Sequence, residues 1–159
     1  MSEPIAVVGA GLLGRARSMV MVIARAGRSV RLYDTQEEAL SGATEAIYMS
    51  LHDLQCAGLV KDPEVILAGI QVEPNLALVV GGAGYVQECG PENLEMKQAI
   101  YSRLEGATAP DTVLASSTSG ITASRFTGHL AHPEHCLVAH PVNSPLSCSY
   151  RRGGAFTDD

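Results

Sequence analysis

Apolar residues fall into short runs along the chain, separated by glycine and polar punctuation. Ile5-Ala6-Val7-Val8 is a β-branched run of the length of a buried strand. Gly9-Ala10-Gly11 follows, then a helical stretch from about Leu12 to Ala26 that Gly27 ends. Val30-Arg31-Leu32-Tyr33 reads as a second strand, closed by Asp34. Thr35 is placed to cap the next helix, Gln36 to about Ala57, which Gly58 ends. Such a β-α-β-α opening implies a parallel sheet covered by helices.

The middle of the chain is less regular. Pro63–Ala68 reads as one or two helical turns, Ile70–Val72 as a strand and Asn75–Val80 as a short helix. After the glycine-dense 81–84 segment, Tyr85-Val86-Gln87 is a strand entering a loop at Cys89-Gly90-Pro91. Glu92 to about Glu105 has helix composition, with Leu94, Ala99, Ile100 and Leu104 as its apolar side. Thr112–Ala115 is a strand running into Ser116-Ser117-Thr118-Ser119, and Leu137–Ala139 is a strand ending at His140. The expected fold class is α/β: a doubly wound, mostly parallel sheet with helices on both faces. Residues 1–143 form that domain, and 144–159 lack any strand or helix period and read as an irregular tail.

Composition narrows the function. The 159 residues are 46% apolar, enough for a real core, with a formal charge of −6 and 4% aromatics. Nucleic acid rewards a basic patch with stacking rings, so it is not expected as a partner. The four cysteines are scattered without a C-x-x-C pair and read as reduced thiols. Met1–Glu3 lacks a basic leader, and the apolar run Met19–Ala24 falls far short of the ~20 residues of a membrane span. A cytoplasmic protein with no membrane association is expected, with Met19–Ala24 as core.

Gly9-Ala10-Gly11-Leu12-Leu13-Gly14 is a G-x-G-x-x-G sequence. Alone it is a weak signal; here it joins an expected strand to an expected helix, with an acid, Asp34, at the end of the next strand. Gly9 permits the tight turn, Gly11 lets the backbone approach a pyrophosphate, and Gly14 lets helix and strand pack closely. The amides around Leu12 and Leu13 open the helix. Asp34 would bond a ribose diol and repel a 2′-phosphate, which favours NAD over NADP. The bland alternative is a glycine turn that binds nothing.

His140 closes an apolar strand, and Ser119 lies just beyond another. In a parallel sheet both ends face one rim. Alcohol oxidation needs a base for the hydroxyl proton and a donor that fixes the oxygen, and histidine suits the first role. His129, His132 and His135 invite a zinc reading, but Pro133 interrupts any helix that would align them, so no metal is expected. His52 sits on a polar helix and needs no function.

The segments IAVVGAGLLG, VRLYD, VQECGPENLEMK, LASSTSGITASRF and CLVAHPVN together resemble the NAD-binding domain of the 3-hydroxyacyl-CoA dehydrogenase family. VQECGPENLEMK and VAHPVN look closest to the branch that includes lambda-crystallin and L-gulonate 3-dehydrogenase. The resemblance implies NAD-dependent oxidation of a 3-hydroxy substrate to its 3-keto product. In it, Ser119 matches the serine that bonds the substrate oxygen and His140 the catalytic base. Glu92 and Lys97 match positions that contact the cofactor, and Asn143 one near the nicotinamide. Without the resemblance, Glu92 reads as a first-turn helix residue and Lys97 as a solvated one, both on the surface.

Beyond Asn143 the sequence departs from the family. Arg151-Arg152 stand about where the family has a glutamate that orients the histidine, and the helical domain that follows in the family is missing from the pattern. The chain therefore resembles a cofactor domain cut short, expected to bind NAD(H) but to turn over substrate poorly. Helix Gln36–Ala57 lacks a lysine to grip CoA phosphates, so a small hydroxy acid competes with an acyl-CoA as substrate. Apolar surface left by an absent domain suggests self-association, such as a homodimer, or poor solubility. The competing readings are a non-catalytic NAD(H)-binding module, either redox sensor or crystallin-like, and a fragment with no stable fold.

Overall fold

In a computed structural model, residues 3–9 and 15–140 are described. The chain alternates strands and helices: β1 (Ile5–Val8), α1 (Arg15–Arg25), β2 (Val30–Tyr33), α2 (Glu37–Cys56), α3 (Pro63–Ala68), β3 (Ile70–Val72), α4 (Leu76–Val80), β4 (Tyr85–Glu88), α5 (Leu94–Glu105), β5 (Val113–Ser116), α6 (Ala123–Thr127) and β6 (Cys136–Val138). The six strands make one sheet in the order β3-β2-β1-β4-β5-β6, and every neighbouring pair is parallel. This is the doubly wound order, with the reversal of winding between β1 and β4.

Both faces of the sheet are covered, which explains why the strands read as unbroken apolar runs. In β1, Ala6 and Val8 join the cluster formed with Val79 and Val80 of α4, Tyr101 and Leu104 of α5 and Phe126 of α6. Val7 points the other way, to Val20 and Met21 of α1 and Ile47 and Leu51 of α2. The period-2 alternation thus serves two cores. Val20, Met21 and Ala24 of the Met19–Ala24 run are buried, as core.

Several local expectations need correction. Thr35 does not cap α2. The residue at the cap position is Gln36, whose side chain makes no capping bond. Instead Asp34 Oδ1 accepts from the Gln36 amide at 2.8 Å and from the Thr35 hydroxyl at 3.4 Å, so the strand-ending acid orders the turn itself. Helix α5 starts at Leu94, not Glu92, because Asn93 caps it by accepting from the Met96 amide at 2.9 Å. Its buried side is Lys97, Tyr101 and Leu104, while Ala99 is exposed. Leu94, Ile100 and Leu104 face the core as expected, and Lys97 and Tyr101 join them where Ala99 does not. Among the described residues no helix is long and apolar enough to cross a membrane.

Tyr101 is fully buried against Phe126, with ring centroids 4.6 Å apart. Its hydroxyl lies beside Ser116 without closing a hydrogen bond, and burial, with the negative charge of Glu88, raises its pKa far above the usual phenol range. An unpartnered buried hydroxyl costs about 1–3 kcal/mol. Tyr101→Phe should therefore leave urea-unfolding stability unchanged or raise it by up to about 1 kcal/mol; a clear loss of stability would mean that the hydroxyl is bonded in solution.

Candidate cofactor and substrate site

The site lies on the rim formed by the carboxyl ends of the strands. Gly9 follows β1 directly, in the left-handed conformation at φ +100°, and its amide donates to the Tyr33 carbonyl at 2.8 Å. A Cβ on Gly9 would lie 2.9 Å from the Gly90 nitrogen and 3.0 Å from the Cys89 carbonyl carbon. Only glycine fits this bend, both by conformation and by closeness to the loop after β4. Gly9 therefore stands where the first strand turns toward the first helix. Gly11, Leu12, Leu13, Gly14 and Asn143 lie outside the described residues.

Asp34 sits at the tip of β2, next to β1, and is buried except for 9% of its surface. Gly9 and Asp34 thus end the neighbouring strands β1 and β2 on the rim where doubly wound sheets hold ligands. Gly9 makes the tight turn expected of it, and Asp34 ends the neighbouring strand as the sequence placed it.

Across β1 lies β4, with Val8 opposite Glu88. Glu88 escaped the sequence reading, although the signal used for His140, an ionisable residue closing a strand, applies to it equally. Its carboxylate is 1% exposed and accepts from the Lys97 ammonium at 2.8 and 3.0 Å. It also accepts from the Gly90 amide at 2.6 Å and the Ser116 hydroxyl at 2.6 Å. Lys97 is 1% exposed, so its reading as a solvated surface residue is overturned: α5 turns it inward onto Glu88.

Glu92 is exposed, as the surface reading has it, but lies ahead of the helix cap and serves another segment. Its carboxylate accepts from the Thr118 hydroxyl, the Gly120 amide at 3.1 Å and the Ser119 amide at 3.3 Å. Partial burial works to raise its pKa, but these three donors and the Lys97 charge outweigh it and hold the carboxyl below the usual range. Ser119 is thereby tied to the loop that follows β4.

His140 stands two residues past β6 and is exposed. The residue before it is anchored twice: the Ala139 amide donates to the Ser116 carbonyl at 2.9 Å, and the Gln87 side-chain amide donates to the Ala139 carbonyl at 3.3 Å. Ser119 and His140 share the rim, but among the described residues no hydrogen bond joins them. The other histidines are dispersed. His129 bonds Ser102 at 2.8 Å, and His132 and His135 lie beside Glu134 at 3.4 and 3.9 Å. Among the described residues no three such side chains are grouped to hold a metal ion.

An all-parallel sheet in this order, with a glycine bend after β1 and an acid closing β2, defines a dinucleotide-binding domain of the Rossmann class. Comparison with known proteins makes the class specific. The sequence profile of the family described as "3-hydroxyacyl-CoA dehydrogenase, NAD binding domain" matches residues 4–148, and the chain belongs to that family. Its cofactor is accordingly NAD. The lambda-crystallin homolog of Rattus norvegicus is 38% identical over 144 residues, which are 89% of this chain and 44% of the rat protein. An L-carnitine dehydrogenase of Burkholderia mallei is 32% identical over 144 residues, 89% of this chain and 43% of that enzyme. The crystal structure of 3-hydroxybutyryl-CoA dehydrogenase from Escherichia coli superposes with a TM-score of 0.82 at 27% identity, covering 90% of this chain and 30% of the other. The chain thus spans less than half the length of these relatives.

The depressed pKa of Glu92 fixes a pH signature. A carboxyl lowered in the folded state gives stability that is complete above its unfolded value, near 4.3, and is lost as pH falls through the folded value. The melting-temperature difference between the wild type and Glu92→Gln should stay constant from pH 7 to about 5 and shrink below about 4. An equal difference at pH 3 and pH 7 would remove the charged tether.

Proposed function

We propose that residues 1–143 are the NAD-binding part of a dehydrogenase that oxidises a 3-hydroxy substrate to the 3-keto product. In this reading the His140 imidazole takes the hydroxyl proton and the Ser119 hydroxyl donates to the substrate oxygen. Bound NAD supplies a nicotinamide ring that accepts hydride. Gly9, with Gly11, Leu12, Leu13 and Gly14 of the same sequence motif, is assigned to the pyrophosphate, Asp34 to the adenosine ribose and Asn143 to the nicotinamide side. Glu92 holds the Ser119 loop against the cofactor side, and Lys97 acts from beneath it. The substrate is either an acyl-CoA or a small 3-hydroxy acid, and the relatives named above include dehydrogenases for both kinds.

The observation that carries this reading is the common rim. Gly9, Asp34, the 88–92 loop, Ser119 and His140 all follow strands of one parallel sheet, and Glu92 and Gln87 tie the last two to the central strands. One observation favours a second reading, a non-catalytic NAD(H)-binding module: among the described residues no hydrogen bond joins Ser119 and His140.

The test is NADH titration followed by NAD reduction with 3-hydroxybutyryl-CoA and with L-gulonate. His140→Ala should keep NADH affinity within about threefold while cutting turnover about a hundredfold or more. Ser119→Ala should cut turnover by about tenfold or more at similar NADH affinity. NADH binding without turnover in the unsubstituted chain would favour the module, and a full rate in His140→Ala would remove that residue from the chemistry.

A further inference from the structure

Glu88 is a fully buried carboxylate to which none of the preceding roles is assigned. It lies at the reversal point of the sheet, directly beneath the loop that Gly9 faces. Its two oxygens receive four donated hydrogen bonds: two from Lys97, one from the Gly90 amide and one from Ser116. A carboxylate has about four acceptor positions, so this one is saturated from within the protein. With 1% of its surface exposed, it has no direct path to a ligand.

What Glu88 does reach is Gly90. The backbone of Gly90 is the wall that a Cβ on Gly9 would strike at 2.9 Å. A Cβ on Gly90 would in turn lie 2.8 Å from Glu88 Oε1, so Gly90 is pinned between the carboxylate and the glycine bend. A charge-assisted bond of 2.6 Å is the short, strong kind and fixes its donor tightly. Lys97 pairs with the carboxylate in the interior at 2.8 and 3.0 Å, which compensates the burial of both side chains. This also accounts for a lysine that the family resemblance places at the cofactor but that the fold turns inward.

We propose that Glu88 is a positioning residue for the dinucleotide cradle: its buried carboxylate fixes the Gly90 amide and so sets the wall opposite Gly9. Lys97 acts on the cofactor through Glu88, not by a direct charge contact with the phosphates. The proposal rests on the NAD-binding reading of the Gly9 bend.

Glu88→Gln alone would leave the Lys97 charge unpaired in the core, so the informative variant of the full chain is Glu88→Gln/Lys97→Met. It removes both charges at similar volume and leaves Gly90 a neutral amide oxygen, a weaker acceptor than the carboxylate, while Ser116 can accept from the amide NH2. Three quantities decide: melting temperature, the NADH dissociation constant from NADH fluorescence, and the Gly90 amide proton shift in 15N spectra. The expected result is a folded variant whose Gly90 amide moves upfield and whose NADH affinity falls about tenfold. A purely structural ion pair would instead give a folded variant that binds NADH as the wild type does, and that result overturns the proposal alone. Absence of NADH binding in the wild type would overturn the NAD-binding reading together with it. Should the double variant not fold, the wild type still decides. Its Gly90 amide must resonate well downfield of the other glycines and stay protected from exchange, and an ordinary glycine shift refutes the bond on which the proposal stands.

Discussion

A lysine and a glutamate with almost no access to water are paired at the centre of this domain, and the arrangement around them follows from that burial. Each buried ion loses several kcal/mol of hydration, and their attraction recovers this only when the remaining donors and acceptors are also matched. Here they are matched: the Glu88 carboxylate receives the Lys97 ammonium, a backbone amide and a hydroxyl. A well-packed apolar pair of the same volume would often be as stable. The pair is therefore poorly explained as a source of stability. It is better explained by what it orients, because a carboxylate can hold an amide of the β4–α5 loop and a hydroxyl of β5 at once.

Two carboxylates bracket the short loop 88–92, and their surroundings divide their tasks. Glu88 sits in the interior, where the dielectric is low and fixed partners hold it. Glu92 sits at the surface, where water competes and where three donors from the 118–120 segment still lower its pKa. The interior one defines the floor of the rim and the exposed one holds its edge. The Ser116 hydroxyl donates to Glu88 and accepts from the Thr118 amide at 3.2 Å, and the Thr118 hydroxyl donates to Glu92. A continuous hydrogen-bonded path thus runs from the glycine side of the rim to the serine side.

Much of this was legible in the sequence, for physical reasons. Strands buried on both faces must be apolar throughout, so Ile5–Val8 and Val30–Tyr33 announced themselves, and the glycines at 27 and 58 marked the ends of α1 and α2. The spacing from Gly14 to Asp34 pointed to the cofactor because the glycine motif and the next strand tip must bracket a molecule of fixed size. What stayed hidden were choices among chemically similar neighbours. Thr35, Gln36 and Asp34 can all order a helix start, and the acid took that task. Asn93 displaced Glu92 from the first turn of α5, which freed Glu92 to reach across to another loop. The burial of Lys97 was illegible because a charged residue is read as exposed unless its partner is known, and that partner, Glu88, lies on a strand read one residue too short.

The topology explains why residues so far apart in sequence converge. In an all-parallel sheet every strand delivers its next residue to the same rim, so positions 9, 34, 89, 117 and 139 are neighbours of one edge by construction. Side-chain bonds then refine what the topology roughly places. Gln87, fully buried on β4, receives the Tyr85 hydroxyl at 2.7 Å and reaches over β5 to the Ala139 carbonyl, next to His140. The central strand of the cofactor half thereby sets the backbone position of the histidine on the outer strand. The wall opposite Gly9 and the backbone beside His140 are held by two adjacent residues of β4, Glu88 and Gln87, whose alternating side chains serve one each. A change that shifts β4 along its axis would displace both together, because the two side chains leave one strand at successive positions.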